Sequence, residues 1–358
     1  MIQSTPHTGL NYMLHQVVFQ ASNGTYTKQL EQDIDTVLSL SSLHAKHDSE
    51  ALLTLLIGKA LKKKLLLEED YSNLYTSNIA IPQIQLFNIL IEKFPFVKYS
   101  QQIINQAILQ IIAQHTEVTL IDIGIGQGTQ ILNVIEHCKE LSTLKKLTII
   151  GIEPFADALY TAQHRITAMQ HDLPFTLEFI PINNFAENFD FSTLNLNTSS
   201  VIVNASLALH HIQSDEQRTQ TLANIKELHP IAIFLTEPNV DHFEENLYKR
   251  FVNCFNHYGS LFQVIDLLDV TSNEKQALKL FFGREIEDVI GKENNARFEK
   301  HEPATTWLSR LRNSNFTVIN SLVAPAISPY GVKIKKHDEG FLGFTYKNET
   351  VLSLICAQ

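Results

Sequence analysis

Two stretches of this 358-residue sequence hold residues whose types and spacing could do chemistry. The first is Asp122-Ile-Gly124-Ile-Gly126-Gln-Gly128, a GxGxG loop with an acid two residues before its first glycine. Glycines there let the backbone turn sharply and let a ligand approach with no Cβ in the way, and the amides of a following helix supply donors. A dinucleotide fingerprint would place a glycine at 129, where this chain has Thr129, and a Walker loop would need Gly-Lys-Ser/Thr, which is absent. Glu153 lies 25 residues after Gly128, at the end of the next apolar run, where a carboxylate can accept both ribose hydroxyls. Together these features point to a bound nucleoside. The alternative is a tight turn with Glu153 as a solvated strand-end residue.

The second stretch is split. Asn204-Ala-Ser-Leu-Ala-Leu-His210-His211 and Thr236-Glu237-Pro-Asn239-Val-Asp241-His242 bring titratable groups to the ends of two further apolar runs. A histidine near pKa 6.5 can serve as base for a hydroxyl or an amine, so His211, His210, Glu237 and Asn239 are the candidate catalytic residues. The histidine pair could equally pack against or cap the helix that follows. His210, His211, His242 and His257 invite a metal, but no His-x₃-His pair occurs, and Cys138, Cys254 and Cys356 form no CxxC. The spacing therefore predicts no metal site.

These residues need a scaffold. Val118–Asp122, Leu147–Glu153, Thr176–Ile180, Val201–Asn204 and Ile231–Glu237 read as strands, separated by helices at Gln130–Leu141, Phe155–Gln170 and after the capping sequence Ser214-Asp-Glu-Gln217. Strands alternating with helices predict an α/β fold, a doubly wound and mostly parallel Rossmann-like sheet. In such a sheet the ligand crevice lies beyond the strand carboxyl ends, where both stretches fall. Residues 1–115 read as a helical region: Asp48-Ser49-Glu50 caps one helix, Pro82 opens another that stops before Pro95, and Gln101–His115 carries a broad isoleucine face. Residues 116–242 form the core and 243–314 a second helical insertion. Residues 315–358 return to strands, closing with an antiparallel hairpin of Phe341–Tyr346 and Thr350–Cys356 around Lys347-Asn-Glu349.

Composition narrows the function. Lys and Arg number 28 against 38 Asp and Glu, a net charge of −10 that disfavours wrapping a duplex. The one basic cluster, Lys59 with Lys62, Lys63 and Lys64, is followed by Glu68, Glu69 and Asp70 and reads as a solvated helix face. A hydrophobic content of 44% supports a proper core. The N-terminus lacks a signal-peptide pattern and the run Leu52–Leu67 is broken by lysines, so a soluble cytoplasmic protein with no membrane or direct nucleic-acid contact is expected.

The glycine loop takes the form of the S-adenosylmethionine loop of class I methyltransferases, in which the leading acid, here Asp122, faces the cationic amino-acid end of the cofactor. On that reading Asp122, Gly124, Gly126, Gly128, Glu153, Asn183 and Asn204 hold the cofactor. Asn183, with Asn184, lies at the expected adenine edge, and Asn204 where methyl donor and acceptor would meet.

The sequence also resembles GRAS-domain proteins over about residues 50–358. The resemblance runs in order through Phe96-Val-Lys-Tyr-Ser, Asn105–Leu109, Leu120–Gly128 and Val203–His211. It continues with Leu235-Thr-Glu-Pro-Asn239, Arg250-Phe, Tyr258–Phe262, Phe282-Gly-Arg284-Glu285-Ile, Arg297-Phe-Glu299 and Trp307 to Leu311. It ends in Leu342–Tyr346 and Leu352–Ala357, although the family's closing Ser-Ala-Trp becomes Ile355-Cys-Ala357. Plant members are transcriptional regulators working through protein partners, and bacterial members look like small-molecule methyltransferases. The full glycine loop with the second-strand acid, and the lack of a long N-terminal regulatory segment, favour the enzyme-like reading. The resemblance thus implies a methyltransferase for a small acceptor, with a catalytically silent ligand- or protein-binding module as the alternative. The helical regions would form a cap over the crevice, with Arg284, Tyr258 and Trp307 as substrate-binding residues of that cap. Arg284 could instead pair with a cap carboxylate. An exposed apolar face on the cap would favour a homodimer.

Overall fold

The computed structural model describes residues 6–24, 26–66, 81–196, 200–325 and 329–358. Its sheet is built from runs rich in β-branched residues: β1 (Glu117–Ile123), β2 (Lys146–Ile152), β3 (Thr176–Ile182), β4 (Val201–Ser206) and β5 (Ala232–Pro238). These five are parallel in the order β3-β2-β1-β4-β5. β6 (Val332–His337), β7 (Phe341–Tyr346) and β8 (Glu349–Ala357) complete the sheet as antiparallel neighbours, with β8 against β5. This is the expected α/β arrangement, doubly wound and mostly parallel with terminal antiparallel strands.

Strands covered on both faces bury successive residues on opposite sides. Val118 and Leu120 of β1 join a core with α5 (Pro95–Ile112), α6 (Thr129–Cys138) and α7 (Ala156–Met169). Ile121 and Ile123 join a second core with α8 (Asp215–Lys226) and α11 (Ala304–Asn313). The first core continues without a break into a helical lobe of α1 (Pro6–Ser22), α2 (Lys28–His44), α3 (Ser49–Leu66), α4 (Gln83–Lys93), α9 (Leu247–Leu267) and α10 (Ser272–Gly291). Helix α3 is its axis: ten of its residues from Ala51 to Leu61 are buried. The predicted starts hold up, with Asp48 accepting the Ala51 amide at 2.7 Å and Ser214 that of Gln217 at 3.1 Å.

The structure departs from the sequence reading in four places. Helix α5 begins at Pro95 rather than Gln101, because proline suits a first helical turn. The strand β6 adds to the closing hairpin a strand that the sequence does not single out, since its Lys333, Lys335 and Lys336 break the apolar signal. The stretch 243–314 is not helical throughout: residues 292–303 form an irregular segment with a turn at 294–296, and α11 beyond it packs against α8 and β8 on the sheet rather than in the helical lobe. The basic cluster is not a free face either. Lys62, Lys63 and Lys64 pair with Asp35, Glu287 and Glu293 at 2.7, 2.6 and 2.7 Å, tying α3 to its neighbours. Glu68, Glu69 and Asp70 lie outside the described residues. Among the described residues no helix is long and apolar enough to cross a membrane.

Candidate functional site

The sheet register itself assembles the nucleoside half of the site. Asp122 of β1 is paired with Asn204 of β4, and the Asn204 amide donates to Asp122 Oδ1 at 2.6 Å. Both are buried, at 4% and 0% exposure. Burial, with the charge of Glu153 adding to it, pushes the Asp122 carboxyl up to about 7 despite the Asn204 hydrogen bond.

Just above them the loop turns through three left-handed glycines, with φ of 74°, 53° and 76° at Gly124, Gly126 and Gly128. Their surroundings differ. A Cβ on Gly124 would stand 2.7 Å from Ala208 Cβ, and one on Gly128 3.2 Å from Ala162 Cβ. A Cβ on Gly126 would meet nothing within 4 Å. Packing therefore accounts for two of the glycines, while the third opens onto space.

Glu153 is turned back onto the loop. Its Oε2 accepts the Gly126 amide at 2.9 Å and its Oε1 the Phe155 amide at 3.0 Å, and the residue is only 6% exposed. A carboxylate has about four acceptor positions, so two are used and capacity for a diol is left. Asn183 donates to the Glu153 and Pro154 carbonyls, both at 2.9 Å, tying together the loops that follow β2 and β3.

The second half lies beyond β4 and β5, joined to the first by the contact of Ala208 with Gly124. Leu207 takes a left-handed φ of 57° and its amide donates to Thr236 O at 2.7 Å, swinging the chain outward. Glu237, 1% exposed, then fixes the turn: Oε1 accepts the Leu209 amide at 2.9 Å and Oε2 lies 2.6 Å from His210 Nδ1. Burial raises Glu237 to about 7, against the pull of the Leu209 amide and of Arg218. Burial likewise drives His210 well below its ordinary range, so its imidazole is neutral. His211, next to it at a ring distance of 4.0 Å, is exposed.

Several participants were not picked out as site residues in the sequence. Arg218 of α8 donates to the carbonyls of His210 and Ile212 at 2.5 and 2.8 Å and pairs with Glu302 at 2.7 Å. Arg310 of α11 pairs with the same Glu302 at 2.6 Å and with Asp215. The irregular segment 292–303 supplies Glu299, whose Oε2 lies 3.1 Å from His301 Nε2 and 3.9 Å from His210 Nε2. Burial and the charge of Glu299 push Glu285 up to about 8, against the hydrogen bond it receives from Tyr258. The available signal was the run Arg297-Phe-Glu299 to Glu302, which has no helical or strand period.

The remaining predicted residues are distributed unevenly. Asn239 is spent on the backbone: it donates to Thr350 O and accepts the Ala304 amide, both at 2.8 Å, joining β8 to the start of α11. Tyr258 is fully buried, donating to Glu285 at 2.8 Å and stacked on His242. Trp307 is also fully buried, in the core between the sheet and α8, with the Arg218 guanidinium 5.4 Å from its ring centre. Arg284 is exposed on α10, while its neighbour Glu285 is the residue that turns toward the cluster.

The family model for the GRAS domain matches residues 16–341. The chain belongs to the GRAS domain family. Among curated GRAS relatives, Scarecrow-like protein 1 of Arabidopsis thaliana is 25% identical over 287 residues, covering 74% of this chain and 48% of that protein. Scarecrow-like transcription factor PAT1 of Arabidopsis thaliana is 24% identical over 288 residues, 73% and 58% of the two chains. This GRAS chain thus spans about half the length of the curated relatives it matches. The crystal structure of SCL7 in Oryza sativa superposes with a TM-score of 0.81 over 99% of this chain and 100% of that one, at 20% identity, so the GRAS fold is shared.

Proposed function

We propose that this GRAS protein binds S-adenosylmethionine and transfers its methyl group to a small-molecule acceptor. The observation that carries this reading is Gly126. It is a left-handed loop glycine whose side-chain position opens onto empty space, set between two buried acids at the ends of adjacent strands. Gly126 would let the adenosyl moiety approach the backbone, Glu153 would accept the ribose hydroxyls, and Asp122 would face the cationic amino-acid end. The bound cofactor would supply an electrophilic methyl group. The protein's own part is orientation: Asn204 fixes Asp122, and Glu237 with Arg218 fixes the loop that carries His210 and His211. A carboxylate acceptor would need no base. For a hydroxyl acceptor, His211 would be the base, since His210 and Glu237 are buried and engaged with each other. The adjacent His210 and burial lower His211 to about 3, which makes it a neutral but weak base and favours an acceptor that needs little help with its proton.

One observation favours a second reading, a ligand-binding regulatory module without turnover. Both Glu153 oxygens already accept backbone amides of the chain itself. Calorimetry on the whole chain separates the two. S-adenosylmethionine and its demethylated product should bind more tightly than about 1 mM. Gly126→Arg, which projects into open space and leaves the packing of Gly124 and Gly128 intact, should abolish that binding without lowering the melting temperature by more than a few degrees. Absence of binding by either nucleoside rules out the methyltransferase reading. Binding with no methyl transfer across carboxylate, hydroxyl and amine acceptors establishes the regulatory module.

A further inference from the structure

His210 is held from several sides, and its free nitrogen is aimed at a carboxylate. Its carbonyl accepts from Arg218, the adjacent Leu209 amide is bound by Glu237, and its Nδ1 lies 2.6 Å from Glu237 Oε2. The ring is 5% exposed, and Nε2 faces Glu299 Oε2 across 3.9 Å, too far for a hydrogen bond. In the tautomer that directs its Nδ1 proton at Glu237, Nε2 presents a lone pair. Two acceptors thus confront each other in a nearly closed space, which is unfavourable unless something positive stands between them. Metal–nitrogen and metal–oxygen bonds of about 2.0–2.2 Å each can bridge such a gap.

The surroundings complete a ligand set. The donor atoms of His210, His211 and Glu299 all lie within 4.8 Å of one another. Glu299 is itself anchored, since Asp288 Oδ2 accepts the Phe298 and Glu299 amides at 2.7 and 2.8 Å. A histidine that presents one nitrogen to a metal while giving its other N–H to a carboxylate is the usual supporting arrangement of metal sites, and Glu237 fills that part here. Exposed His211 provides the entry side. Behind Glu299, Glu285 and His301 fall within the same 4.8 Å limit. Further in, His301 Nδ1, His257 Nδ1 and both ring nitrogens of His242 are buried without a hydrogen-bond partner.

We propose that His210, His211 and Glu299 form a binding site for one divalent transition-metal ion of the zinc type, with Glu237 orienting His210. Ligand spacing could not reveal it, because Glu299 enters 88 residues after His211, on a segment with no regular period. The site does not depend on nucleoside binding, and its test uses the metal alone. Zn²⁺ titrated into the metal-free whole chain should bind at one equivalent, and Co²⁺ should show the intense visible bands of a low-coordinate site. His211→Ala and Glu299→Gln should each weaken Zn²⁺ binding at least about tenfold, whereas His164→Ala, at an exposed position on α7, should leave it unchanged. His211 is exposed, so its alanine variant should keep the parent melting temperature and decides the matter if Glu299→Gln fails to fold. No saturable Zn²⁺ binding, or binding that survives His211→Ala, overturns the proposal.

Discussion

Asp122 is an acid held where its charge is unwelcome. Burial and the neighbouring Glu153 raise its carboxyl from an ordinary 3.8 to about 7. A folded-state value above the unfolded one means the native protein binds the extra proton between those two pH values, so the group removes stability as pH rises through that window. Asp122→Asn keeps an oxygen for the Asn204 amide but has no charge to bury. Its unfolding free energy should therefore gain on the wild type from pH 4 to pH 7, by up to about 1.4 kcal/mol per pH unit, in urea titrations run at several pH values. Parallel pH profiles for the two proteins would show that Asp122 is not held protonated. Asp122 could be singled out in the sequence because its partners arrive by strand register: an acid before a glycine loop and an asparagine ending the fourth strand meet wherever those strands pair. Glu299, His301, Arg218 and Glu302 could not. Arg218 meets Glu302 across 84 residues and His210 meets Glu299 across 89, through an irregular segment that leaves no periodic trace.

The glycine loop shows why residues alike in sequence differ in consequence. Gly124 and Gly126 have the same left-handed sense, and alanine at either should cost about 1 kcal/mol for that conformation alone. Only at Gly124 does the new Cβ collide, 2.7 Å from Ala208 on the loop that carries His210. Gly124→Ala should therefore be more destabilising than Gly126→Ala by a further 1–3 kcal/mol or so, and Ala208→Gly should recover part of the excess in a double-mutant cycle. Equal losses at the two glycines, or strict additivity with Ala208→Gly, would place the clash elsewhere. The same local logic explains which elements could be read in advance. The strands β1, β2, β4 and β5 announce themselves as apolar runs because both their faces are covered. Strand β6 is an edge strand, and the alternating lysines that protect such an edge from pairing also hide it from a hydrophobicity reading. Helix α11 has helical periodicity, but periodicity does not say that its apolar face, with Trp307, meets the sheet and not the helical lobe.

The helical lobe and the sheet share one continuous apolar core, running from Leu14 of α1 through α3, α9 and α10 to Cys356 of β8. Segments from opposite ends of the chain interlock there: α3 lies against α10 so closely that a Cβ on Gly283 would stand 3.2 Å from Leu56. Buried Lys279 adds a polar tie, donating to Ser49 of α3 at 2.5 Å and pairing with Asp266 of α9. Such a lobe has no core of its own to fall back on, so it should unfold with the sheet and not before it. Gly283→Val overpacks the α3–α10 contact and should lower stability by about 1–3 kcal/mol. Two probes can follow its unfolding independently. Far-UV circular dichroism is dominated by the helices, while the fluorescence of Trp307, the only tryptophan, reports the core on the opposite face of the sheet. Both transitions should shift to lower denaturant by the same amount and remain superimposable. A dichroism transition that moves while the Trp307 transition stays put would mean that the lobe is a separate unit. The packing that holds α3 to α10 would then stop short of the site, and the β4 and β5 loops would take no stability from the helices above them.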